Sequence, residues 1–76
     1  MIEAAFGKIL QELRKEKGFS QEELAHKCSL DRTYISLLER GQRVPTITTL
    51  FKIANSLDIT PEDLIFKTRR EYENSK

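Results

Sequence analysis

Four helix-start signals crowd the stretch between residues 20 and 60, and they constrain the fold more than anything else in the chain. Ser20 and Glu23 have the S-x-x-E spacing of a capping box, with Phe19 and Leu24 placed as its hydrophobic staple. Asp31 opens the next helix, with Leu30 and Ile35 as staple. Thr46 opens another, whose apolar stripe runs through Leu50, Phe51, Ile53, Ala54 and Leu57. Thr60 opens the last, with Pro61 at the first helical position, Asp63 three residues after the cap, and Ile59 and Leu64 as staple. Ahead of all four, apolar residues at 2, 5, 6, 9, 10 and 13 trace one face of a first helix, which Gly18 stops. No stretch alternates as a strand does. The expected fold is all-α, with five helices around one small core.

A chain of 76 residues makes one domain. The expected division is one folded unit over residues 1–66 and a polar segment over 67–76, either a tail or an extension of the fifth helix. No apolar run reaches the roughly 18 residues needed to span a bilayer, and Glu3 and Lys8 interrupt any secretory pattern at the start. A single cysteine, Cys28, excludes an internal disulfide and a cysteine-based zinc cluster, and fits a reducing, cytoplasmic setting. A single histidine, His26, argues against a metal site. There is no nucleophile with a base, no phosphate loop and no length for a substrate pocket, so neither an enzyme nor a cofactor nor a small-molecule substrate is expected.

Residues 20–43 carry the functional signal. The second helix (about 21–28) and third (about 32–39) are joined by Ser29, Leu30 and Asp31 alone. So short a turn forces a steep crossing, which is helix-turn-helix geometry. Ile35 and Leu38 then face inward, while Arg32, Thr33, Ser36, Leu37 and Arg40 share the opposite face. That face suits base edges in a major groove: arginine pairs with guanine, hydroxyls pair with several bases, and leucine meets a thymine methyl. Charge agrees. The net charge is only +1, but residues 32–52 carry Arg32, Arg40, Arg43 and Lys52 against Glu39 alone, hence +3. Arg32, Thr33, Ser36 and Leu37 are the candidate base readers. Arg40 and the helix starts at Ser20 and Thr46 are candidate phosphate contacts.

The run Ser20-Gln21-Glu22-Glu23-Leu24-Ala25, then Ile35-Ser36, Glu39-Arg40-Gly41 and Leu50…Ile53-Ala54…Leu57, resembles the lambda-repressor-like (XRE-type) helix-turn-helix domain over roughly residues 6–66. The resemblance implies that Gln21 sits on a phosphate, and that Arg14 and Glu39 form a partly buried ion pair fixing the reading helix. Asp31-Arg32-Thr33-Tyr34-Ile35-Ser36 with Arg43 is similar, more narrowly, to controller proteins of restriction–modification systems. Those imply base reading by Arg32 and Thr33, backbone contacts from Tyr34 and Arg43, and a bacterial or phage-encoded homodimer on a pseudo-palindrome of double-stranded DNA. A general repressor of phage, immunity or developmental type is the neighbouring reading. One position departs from the family: Ser29 stands where glycine is usual, so a left-handed serine is expected there, at roughly 1 kcal/mol.

Ile59, Ile65, Phe66 and Tyr72 exceed what so small a core needs and are the candidate dimer interface. The alternative function is a protein-interaction module on the same scaffold, such as an antitoxin whose polar tail folds on a partner.

Overall fold

The computed structural model describes residues 1–75, and Lys76, the last of the 67–76 segment, lies outside them. Five helices account for most of it: α1 (Ile2–Glu16), α2 (Gln21–Cys28), α3 (Arg32–Glu39), α4 (Ile47–Ser56) and α5 (Pro61–Asn74). No strand occurs among the described residues. Helix α5 continues without a break through residues 67–74.

Three of the four expected starts are capped by side chains. Ser20 Oγ accepts from the Glu23 N–H while Glu23 Oε1 accepts from the Ser20 N–H, at 3.0 and 2.7 Å. Thr46 and Thr60 accept from the Thr49 and Asp63 N–H groups. Asp31 departs from the pattern. It has the extended backbone of an N-cap, φ −85° and ψ 141°, but its carboxylate makes no capping hydrogen bond. The Leu30 and Ile35 staple and the Asp31 carbonyl, which accepts from the Tyr34 and Ile35 N–H groups at 3.1 Å, set that helix start instead.

The core is one cluster. Phe6, Ile9 and Leu10 from α1, Leu24, Ala25 and Cys28 from α2, and Ile35 and Leu38 from α3 meet Leu50, Ile53, Ala54, Leu57 and Leu64. Helix α1 packs on α3 and α5, α2 on α3 and α4, and α4 on α5. Burying side chains such as Leu10, Leu24 and Ile53 contributes about 1.5–3 kcal/mol each. Phe51 corrects the expected stripe of α4. It lies a full turn after Ile47 on the outer side, and the two are 56% and 70% exposed. Buried Thr68 bonds back to the Leu64 carbonyl, so no buried side-chain polar atom among the described residues lacks a partner.

Candidate nucleic-acid interface

The turn from α2 to α3 is closed by its backbone. Ser29 adopts φ 56° and ψ 42°, its N–H bonding the His26 carbonyl while the Leu30 N–H bonds that of Ala25. This pairing ends α2 with a left-handed residue and sends the chain directly into α3. The serine at this position thus carries the strained conformation that glycine adopts freely.

Helix α3 divides cleanly. Ile35 and Leu38 are fully buried, whereas Arg32 and Thr33 are exposed at its N-terminal end and Ser36 and Leu37 are half-buried beside them. Arg40 is exposed at its C-terminus, with Nε 3.4 Å from the Ser36 carbonyl. Tyr34 is half-buried against the core, and its hydroxyl reaches the Val44 carbonyl at 3.5 Å, tying the helix to the loop that carries exposed Arg43. Ser20 and Thr46 are exposed at the starts of α2 and α4. The four base-reading candidates thus share one outer face of α3. The six phosphate candidates lie on the neighbouring helix starts, the next loop and α3 itself.

A buried network braces α3 from behind. Arg14 Nε donates to Glu39 Oε2 at 2.6 Å and Nη2 to Oε1 at 3.0 Å, with side chains only 9% and 2% exposed. Arg14 Nη1 also donates to the Phe19 carbonyl at 2.8 Å. Such a two-pronged charged contact is strong and directional. Gln21 joins the network: its Nε2 donates to Glu39 Oε1 at 3.0 Å, and its Oε1 accepts from Arg32 Nη1 at 3.4 Å. The other amide N–H of Gln21 takes no part in these bonds. Sequence reasoning did not find these links, because α2 and α3 side chains eleven or more residues apart meet only once the turn is folded.

Outside this face the candidates divide. Ile65 and Phe66 are exposed, at 52% and 46%, with the Arg70 guanidinium above the Phe66 ring. Ile59 packs against the core and Tyr72 is half-buried. Exposed Val44, Ile47 and Phe51 add apolar surface that helical spacing alone did not single out. Cys28 Sγ donates to Ser56 Oγ at 3.3 Å, and burial pushes its thiol above the ordinary 9.0. No group of metal-ligating residues occurs among those described, and no helix is long and apolar enough to cross a membrane.

A helix-turn-helix family model matches residues 10–64, and the chain belongs to this family of transcriptional regulators. Within it, the chain is similar to the control protein C.BamHI of Bacillus amyloliquefaciens, 40% identical over 99% of this chain and 95% of that one. It also matches the restriction-modification controller protein C.AhdI from Aeromonas hydrophila at 47% identity, covering 82% of this chain and 94% of that one with a TM-score of 0.79. A third match is the controller C.Esp1396I, a tetramer in complex with its natural 35-base-pair operator, at 35% identity over 93% of each chain and a TM-score of 0.83.

Proposed function

We propose that this chain is a controller of a restriction–modification system, acting as a homodimer on a pseudo-palindromic operator with α3 in the major groove. The observation that carries the reading is the division of α3: an outer face of Arg32, Thr33, Ser36 and Leu37 set against Ile35 and Leu38 at 0% exposure, and locked at its far end by Arg14 and Glu39. The likeness to C.BamHI along nearly the whole of both chains, and to C.AhdI over 82% of this one, supports the controller role. Arg32, Thr33, Ser36 and Leu37 read base edges. Ser20, Gln21, Tyr34, Arg40, Arg43 and Thr46 hold phosphates and set register. Residues 1–66 form the binding domain, with residues 67–74 extending α5. Dimerisation uses the exposed apolar surface that includes Ile65 and Phe66, with Ile59 and Tyr72 at its margin, and spaces two reading helices by one duplex turn, about 34–36 Å. The regulator is cytoplasmic, bacterial or phage-encoded and non-enzymatic, and its partners are duplex DNA and its own copy.

Selection of bound duplexes from a random pool tests this directly. An inverted repeat with half-sites one turn apart is expected, and recovery of no preferred duplex at low salt refutes the reading. On the selected duplex, Arg32→Ala relaxes one base position by about 1–3 kcal/mol, whereas Arg43→Ala weakens all sequences alike and lowers the log–log salt slope by about 0.9.

A further inference from the structure

Helix α1 touches the end of α3 backbone to backbone. A methyl group at Gly7 would lie 2.5 Å from the Leu38 carbonyl oxygen and 2.6 Å from that of Glu39. Neither obstacle is a flexible side-chain tip; both are main chain. One turn earlier on the same face of α1, the Ala4 backbone meets Gly41, where an added methyl would sit 3.1 Å from the Ala4 Cα. Gly41 has φ +73°, its N–H bonds the Leu38 carbonyl, and the following Gln42 N–H bonds that of Leu37. This is a left-handed helix end that fixes where the chain goes next, and what comes next is Arg43. Two turns after Gly7 on α1, Arg14 grips the Glu39 carboxylate. One face of α1 therefore seats α3 and its exit loop at three points, two of them without side chains.

We infer that Gly7 and Gly41 are positioning residues for the arginine-bearing loop: the bare seam between α1 and the end of α3 sets how far Arg40 and Arg43 reach past the reading helix. This rests on the proposed role of that loop at phosphates. Space at Gly7 is the constraint and not helix formation, since alanine is the better helix former. Adding a methyl there pushes α3 and its loop outward while the core residues of α1 stay apolar.

The test uses the full chain, the duplex recovered by selection, and variants Gly7→Ala, Gly41→Ala and Arg43→Ala, each checked for folding by circular dichroism. Anisotropy of the labelled duplex is followed across a salt series. The folded Gly7→Ala chain is expected to bind more weakly, with the log–log salt slope reduced by about 0.9 for each phosphate contact withdrawn. Combined with Arg43→Ala it should lose little more than Gly7→Ala alone. A folded Gly7→Ala chain with the original affinity and slope, or strictly additive losses, overturns the inference. Should Gly7→Ala fail to fold, Gly41→Ala takes its place, with the same expected losses and the same results overturning the inference. If Arg43→Ala itself leaves the slope unchanged, the phosphate role of the loop is what fails, and the inference falls with it.

Discussion

Replacing Arg14 with methionine removes the guanidinium from a site where its partner cannot reach water. The Glu39 side chain is 2% exposed, and of its three charged or polar contacts only the 3.0 Å bond from Gln21 remains. The Phe19 carbonyl also loses the donor that reached it at 2.8 Å. An uncompensated buried carboxylate of this kind costs about 3–5 kcal/mol. A domain of this length has a total stability of only about 4–11 kcal/mol, at 0.05–0.15 kcal/mol per residue. The expected fall in Tm is therefore roughly 12–40 °C, taking 4–8 °C per kcal/mol for a small domain. A thermal scan by far-ultraviolet dichroism measures that fall, and urea unfolding measures the free-energy loss, the urea midpoint falling with little change in slope. Arg14→Met combined with Glu39→Leu should recover most of the loss, because apolar replacement of a whole buried pair is close to neutral. A single variant costing less than about 1 kcal/mol would mean that the pair behaves like a surface one, and the idea of a desolvated clamp would be refuted.

Ser29→Gly should stabilise the domain by about 1 kcal/mol in the same urea assay, since the left-handed backbone then costs nothing. Cys28 should resist iodoacetamide in the native chain near neutral pH and react once urea unfolds it, because burial holds its thiol protonated. Hydrogen bonds from the Ser20 backbone and hydroxyl hold the Glu23 carboxyl below its usual 4.5. A depressed acid stabilises above its unfolded value and loses that contribution as pH falls through the folded one, so unfolding midpoints should drop below pH 4.5 and the drop should be shallower in Glu23→Gln. Replacing Ile65 and Phe66 together by serine should shift sedimentation from dimer to monomer while leaving the helical dichroism intact.

The helices were legible because their starts are written locally. Ser20 with Glu23, Thr46, and Thr60 with Pro61 each announce themselves within four residues, and the structure forms each cap. Asp31 shows the limit of local signals: the residue type and place were right, but its carboxylate makes no capping bond. Phe51 fails for a different reason. Periodicity alone cannot say how wide a buried stripe is, and in α4 it stops at Leu50, Ile53 and Ala54. The outer face of α3 was readable from spacing, since Ile35 and Leu38 fix which side is inside. The bonds of Gln21 to Glu39 and Arg32 were not, because they join three helical segments across the folded turn. Gly7 did leave a trace, a poor helix former inside an otherwise good helix, and such a residue commonly marks a close approach.

The clamp at Glu39 meets the outer face of α3 through Gln21, whose amide bonds both the Glu39 carboxylate and Arg32, while Thr33, Ser36 and Leu37 take no part in it. Address and chassis thus share a joint at Gln21 and Arg32. On the proposed role of α3, Thr33, Ser36 and Leu37 could be rewritten for a new operator with the clamp left intact, whereas a change at Arg32 would also release the Gln21 amide.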